Sequence, residues 1–239
     1  MMKSVLGILM LLILFIEMGN TQESAIGVNF GYGYFLPAGD LEERYGGHLG
    51  FSFNTEYQAK NNLNYFLEWR YLFGNTVKSD VLAPFRQEDG LLIGTDGLAA
   101  DVYYRMRGQH FVLGLSKAIG QKRSKALVGG GLGWIFYKTS IRDDNRSYIQ
   151  PTGLYEQLYD QRTNGPLAKL LAGYHLKTDN DLINLKILID MGYGFSSFNK
   201  LSPYNPITKS SLKDLSAGIT AYWFIPFRKY RGSEEIKYF

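Results

Sequence analysis

Three histidines, His48, His110 and His175, and a scattered set of carboxylates and cations are the side chains here whose types could do chemistry. A histidine held beside a hydroxyl can relay protons, and two facing carboxylates can act as acid and base. None of the three histidines has a serine two positions away. The charges are more informative. Glu56, Glu68, Asp101, Asp190 and Asp214, with Arg70, Arg105, Arg107, Lys169 and Lys186, all fall in segments that are otherwise rich in aromatic and aliphatic residues. Opposite charges placed in apolar surroundings must pair or hydrogen-bond, because an unpaired buried ion costs on the order of several kcal/mol. The first expectation is therefore a structural ion-pair network. Two further clusters, "RQEDGLLIGTDG" and "IRDDNRS", offer carboxylates to a cation, but neither has the alternating ligand spacing of an EF-hand loop. The run "GGGLG" is no phosphate loop, since no helix follows it. No catalytic, cofactor or metal-ligating residue is expected.

The segments that must position these charges alternate with period two. In "LINLKILIDMGYGF", residues 182–195, the odd positions are apolar or aromatic, while the even ones hold Asn184, Lys186, Asp190, Gly192 and Gly194. Alternation of this kind is the signature of a strand with two unlike faces. It recurs with Ile26, Val28, Phe30, Tyr32, Tyr34 and Leu36; with Tyr45, Leu49, Phe51, Phe53 and Tyr57 in a strand from Arg44 to Lys60; and with Leu63, Tyr65, Leu67, Trp69, Tyr71 and Phe73. A fourth strand carries Val102, Tyr104 and Met106, then Phe111, Leu113 and Leu115. The change of phase at Gly108 predicts a β-bulge. Val128, Leu132, Trp134 and Phe136 mark a fifth, Ala168, Leu170, Ala172, Tyr174 and Leu176 a sixth, and Leu215 to Phe227 an eighth.

Eight strands are joined by connections of alternating length. The long ones are 37–43, 74–97, 142–166 and 199–211; those between are tight turns. Long loops at one rim and short turns at the other predict an all-β fold, an eight-stranded antiparallel up-and-down transmembrane β-barrel with short periplasmic turns and longer extracellular loops. A secreted lipocalin-like barrel would show the same alternation with its faces exchanged. The polar face decides between them: it is rich in Gly, Asn, Ser and charges of both signs, as a crowded interior requires. The apolar face carries Tyr32, Tyr34, Tyr57, Trp69, Phe73, Trp134, Trp223 and Phe227, expected as aromatic girdles near the strand ends. Lys186 and Asp190 then point inward, with Lys169 and Asp214 on the neighbouring strands as their expected partners.

Lys3 followed by the apolar run Val5 to Ile16 predicts a cleaved signal peptide over 1–21, the barrel over 22–227 and a short periplasmic C-terminal tail over 228–239. The run is too short for a good membrane anchor. The chain has no cysteine, which excludes disulfides, thiolate metal sites and a lipoprotein anchor. A net charge of +4, without a basic run interleaved with aromatics, leaves nucleic-acid binding unsupported. Ser216, Gly218, Ala221 and Trp223 match the spacing of a C-terminal assembly signal read by the barrel assembly machinery, with Ala221 small for an apolar position.

The strings "YFLPAGDL", "DVLAPFRQEDGLLIGTDGLAADV", "YDQRTNGPLA" and "WFIPFRK" carry a resemblance over nearly the whole mature chain. The chain resembles the OmpA-transmembrane-domain-like small outer-membrane barrels, and within them a group of barrels from Bacteroidota. The resemblance implies a non-enzymatic integral protein of the bacterial outer membrane, with termini in the periplasm and outer-membrane lipid and lipopolysaccharide around it. It also implies a structural or accessory subunit of a larger outer-membrane protein complex, for instance in barrel assembly or type IX secretion. A small-solute pore and a lipid-modifying enzyme remain as alternatives. The lipid A deacylases among such barrels use a His two residues from a Ser, which this chain lacks. Leu, Ile, Phe and Tyr within both long loops predict that these fold into a cap or bind a partner.

Overall fold

Alternating sequences of this kind satisfy their backbone only by pairing, and in the computed structural model they pair in a closed ring. It describes residues 24–94, 97–121, 123–143, 162–178, 184–198, 211–231 and 235–238. Strands β1 (Ser24–Gly39), β2 (His48–Gln58), β3 (Leu63–Gly74), β4 (Val102–Gln121), β5 (Ser124–Asp143), β6 (Thr163–Lys177), β7 (Asn184–Phe198) and β8 (Leu212–Arg231) each pair antiparallel with the next. β8 returns to β1 from Ser24↔Tyr230 to Gly39↔Asp214. Closure removes the free edges that an open sheet would present. A short β9 (Glu235–Tyr238) folds back on Arg228–Arg231, so β8 continues past Phe227, where the alternation ends, into a terminal hairpin.

Register fixes the size of the ring. Partners followed from Ile187 run through Ala221, Tyr32, Phe51, Tyr71, Gln109, Phe136 and Asn164 to Ser197, ten residues further along β7. Eight strands with that stagger tilt by about 40° and enclose a radius of about 8 Å, enough for side chains but no open channel. One irregularity lies opposite Ile26/Gly27, where β8 holds Pro226 and Phe227. Proline has no N–H to give to a ladder, and a bulge is where a strand tolerates it.

The two faces separate as alternation demands. Outward side chains are exposed and apolar, up to 73% for Leu132 and 69% for Leu170. Inward ones include Arg70, Lys186, Glu68 and Asp190, all buried. A continuous apolar exterior around a polar interior inverts the arrangement of a water-soluble protein and is suited to a hydrocarbon surround.

Three features depart from the sequence reading. β4 has no bulge at Gly108: its register runs unbroken from Val102↔Asp143 to Gln121↔Ser124. Met106, Gly108, His110 and Val112 therefore all point inward, and Met106 is fully buried. The upper part of this strand extends beyond the apolar belt, so the usual meaning of an apolar side chain reverses there. β2 starts at His48 rather than Arg44, because Asp40–Arg44 forms a short helix, α1, that turns Leu41, Arg44 and Tyr45 into the barrel mouth. Finally, Tyr32 and Trp69 sit at mid-strand and not in an end girdle; Tyr57 and Phe227 lie toward the end with the short turns, Tyr34, Phe73 and Trp134 toward the opposite side of the belt.

The connection between β3 and β4 is folded. Its Val81, Leu82 and Leu92 are buried together, with Phe85, Ala100, Val102, Tyr104 and Ile141 packed against them. Asp80 anchors this loop, accepting hydrogen bonds from the Leu82 amide at 3.0 Å, Arg86 Nε at 2.5 Å and the Tyr104 hydroxyl at 2.5 Å. Burial alone would raise the Asp80 pKa, but the Tyr104 and Arg86 hydrogen bonds together hold it below its usual 3.8. The expected signal peptide, residues 144–161 and 199–210 of the expected long connections, and Gly232 to Glu234 of the tail lie outside the described residues.

Candidate functional site in the barrel lumen

Alternation sends every second residue of eight strands into one narrow cylinder, and the side chains there meet across it in three tiers. In the tier nearest the short turns, Lys186 Nζ on β7 donates to both Glu56 oxygens on β2, at 2.6 Å each. Gln58 Nε2 and Asn29 Nδ2 complete the carboxylate at 2.9 and 3.1 Å, and the ammonium lies 4.5 Å from the centre of the Phe224 ring. His175 shares a short hydrogen bond with Asn184 in the same tier.

The middle tier is a four-charge cluster. Arg70 on β3 grips Asp190 on β7 with both guanidinium ends, at 2.8 and 3.0 Å, and donates through Nε to Ser52 Oγ at 3.0 Å. Lys169 on β6 donates to both oxygens of Glu68 at 2.8 and 2.9 Å. Tyr222 on β8 ties the two pairs, accepting from Arg70 at 3.1 Å and donating to Glu68 at 3.0 Å. Planar guanidinium and carboxylate groups match in this two-point geometry, which makes it both strong and specific in orientation. The charges cancel within the tier.

The upper tier is mostly apolar. Phe35, Leu41, Tyr45, Leu72, Met106, Ile135 and Tyr137 fill the section beneath the long loops. Phe35 lies 4.3 Å from the Arg70 guanidinium on one side, and on the other it occupies the space that Gly218 leaves, where a Cβ would collide with its ring. α1 closes the end. Arg44 reaches Asp214 at 2.5 Å and Thr163 at 3.1 Å, Ser196 donates to the other Asp214 oxygen, and the Tyr45 hydroxyl meets Thr139 at 3.1 Å. Glu56, Glu68, Asp190 and Asp214 are thus each matched by a buried cation: Lys186, Lys169, Arg70 and Arg44.

Seven of the ten expected network residues occupy the lumen: Glu56, Glu68, Arg70, Lys169, Lys186, Asp190 and Asp214. The other three do not. Asp101 is exposed before β4 and takes the Tyr103 hydroxyl at 3.1 Å, while Arg105 and Arg107 lie on the outer face, because the unbroken register of β4 gives them the parity of Phe111. The expected pairing is also corrected. Lys186 meets Glu56 and Asp190 meets Arg70, both across the lumen, and Asp214 takes Arg44; Lys169 reaches Asp190 only at 3.9 Å while gripping Glu68. In so narrow a ring, long side chains span the bore as readily as the gap between neighbouring strands. Arg44 and Tyr45 escaped the sequence reading because the alternation was extended through them. Tyr222 could have been found, as the polar-face partner of Thr220 on β8.

The three histidines all lie inside. His48 Nδ1 is 3.1 Å from the Gly46 carbonyl and His110 Nε2 2.9 Å from the Tyr137 hydroxyl. Among the described residues no cluster of three His, Asp or Glu side chains is arranged to hold a metal. Within β8, Ser216 and Gly218 face inward, Ala221 and Trp223 outward, and both edges of the strand are engaged, by β7 and β1.

No family model matches the chain, and no curated protein does. Among solved structures it is similar to the attachment invasion locus protein Ail of Yersinia pestis, at 11% identity and a TM-score of 0.42, over 85% of this chain and 100% of that one. It is similar to a major outer membrane protein of Thermus thermophilus, at 12% identity and a TM-score of 0.43, over 84% and 100%. Neisserial surface protein A, NspA, resembles it at 12% identity and a TM-score of 0.37, over 83% and 98%. The barrel itself is established by this chain's own pairing: eight antiparallel strands closed between β8 and β1.

Proposed function

We propose that this protein is a non-enzymatic integral barrel of the bacterial outer membrane, serving as a structural or accessory component and not as a channel. The observation that carries the reading is the lumen. Three carboxylates face three cations across the bore, and above them lies an apolar tier that α1 latches through a fourth pair, Arg44 with Asp214. An ion passing through would have to separate pairs whose partners would then be left buried and unmatched. The exterior supports residence in lipid, and an even number of strands puts both ends of the barrel at the rim with the short turns. Planar-bilayer recording tests the channel question: the protein should give no steady conductance, and large, stable single-channel steps would overturn the sealed-lumen reading.

The accessory role has its own support in the folded loop between β3 and β4. Above its buried cluster it presents Leu91, Ile93 and Leu98 at the surface. Exposed apolar side chains on an ordered loop outside the belt suit contact with another protein. Cross-linking in intact outer membranes followed by purification should recover a larger complex, such as one for barrel assembly or type IX secretion. Recovery of the barrel alone, with cross-linker reacting at that loop, would remove the accessory role and leave a solitary structural barrel.

A further inference from the structure

The outer face of the β4–β5 ladder changes character along its length. Successive facing pairs run Leu113↔Leu132, Phe111↔Trp134, Gln109↔Phe136, Arg107↔Lys138, Arg105↔Ser140 and Tyr103↔Arg142. Aliphatic side chains give way to aromatic ones and then to cations. That is the order in which a bilayer passes from hydrocarbon through its interface to its headgroups. Arg107 and Lys138 stand directly opposite each other, with Arg105 and Arg142 one and two positions beyond. Like charges in register destabilise a sheet unless something neutralises them. Among the described residues, no carboxylate pairs with any of the four; Arg107 donates to the Met106 carbonyl at 2.9 Å, and Asp101, just before β4, receives the Tyr103 hydroxyl.

We infer that Arg105, Arg107, Lys138 and Arg142 form a binding site for the phosphate-bearing headgroup of a lipid in the outer leaflet, with Phe111, Trp134 and Phe136 against its acyl chains. The inference rests on the membrane reading above and gives it a place and a ligand class. An anionic lipid supplies what the outward pairs of this ladder lack: negative charge at the height of the cations, attached to chains at the height of the aromatics. Guanidinium groups grip phosphate at two points, and three arginines beside a lysine suit a headgroup with more than one phosphate. Each cation close to an anionic membrane surface adds about fivefold to binding.

The test is native mass spectrometry of the whole barrel in neutral detergent, titrated with purified lipid A and with the same glycolipid after removal of its phosphates. The native protein should retain the phosphorylated form and hold the dephosphorylated one more than about tenfold less tightly. R105Q/R107Q/K138Q/R142Q should lose this preference while migrating as a folded barrel. If that variant fails to fold, K138Q alone should weaken retention about fivefold, and the comparison of the two glycolipids needs no variant. Equal retention of both glycolipids, undiminished binding by a folded variant, or equally tight binding of inorganic phosphate alone would each overturn the site. Failure of the membrane reading shows separately, as native protein that carbonate extracts from membranes.

Discussion

Lys186 and Glu56 meet across the lumen with both carboxylate oxygens engaged, and Gln58 and Asn29 donate to the same carboxylate. Removing one partner leaves the other charged, buried and alone, so Lys186→Met should cost about 3–5 kcal/mol. Replacing both, as in E56Q/K186M, should recover most of that loss, because neither remaining side chain is then an ion. Urea unfolding in lipid vesicles, followed by the fluorescence of the outward Trp69, Trp134 and Trp223, measures both. Equal destabilisation by the single and the double variant would show that packing, not charge, holds the tier. The charges themselves were legible in the sequence, since alternation placed Lys186 and Asp190 on the face with Asn184, Gly192 and Gly194. Their partners were not. Period two says which way a side chain points, and only the curvature of the ring says what it meets there.

At the scale of elements, α1 and the loop between β3 and β4 do what the strands cannot: they close and cover one end. α1 follows Gly39, whose φ of +61 and ψ of −144 belong to a region open only to glycine, and a Cβ there would stand 2.7 Å from the Lys213 carbonyl. Gly39→Ala should therefore cost about 1–3 kcal/mol and loosen the latch of Arg44 on Asp214. Increased protease cleavage between β1 and β2, with the barrel intact, is the expected readout. The loop has a pH dependence of definite sign. Because the folded Asp80 carboxyl lies below its usual 3.8, its contribution is complete above that value and is lost as pH falls through the folded pKa. Proteolysis within residues 75–101 should rise at such acid pH, and Asp80→Asn should reproduce the rise at neutral pH; an unchanged digest would show that Val81, Leu82 and Leu92 hold the loop unaided. Here the sequence signalled less. Apolar residues in the loop predict that it folds, but "DLEER" reads as the end of a connection and the first residue of a strand, because five residues are too few for helical periodicity to show.

For the whole molecule, the decisive quantity is the free energy of its exterior in lipid. Leu132 lies at mid-belt and is 73% exposed. In water, an arginine at so exposed a position would change little. In a bilayer, Leu132→Arg should destabilise the barrel by about 2–4 kcal/mol, falling toward zero for the same change at Ser140 beyond the aromatic pairs. Equilibrium unfolding from vesicles compares the two; equal effects would argue against a belt at that height. The same geometry explains why Arg105 and Arg107 were assigned inward from the sequence. A strand that passes through hydrocarbon and out beyond it keeps its parity, while the solvent on its outer face changes. Met106 and Arg107 then read as though the strand had slipped, when in fact the surround had changed.

The sequence by itself determined eight strands, their directions, the long and short rims, and which parity is apolar within the belt. Each of these follows from local alternation and turn chemistry. The tertiary structure alone decided the ten-residue stagger, the pairing of Lys186 with Glu56 and Asp190 with Arg70, the seating of α1 in the mouth, and the outward cations above Phe136. Those depend on which distant residues share a height in a closed, tilted ring, and register around a ring is a property no single strand carries.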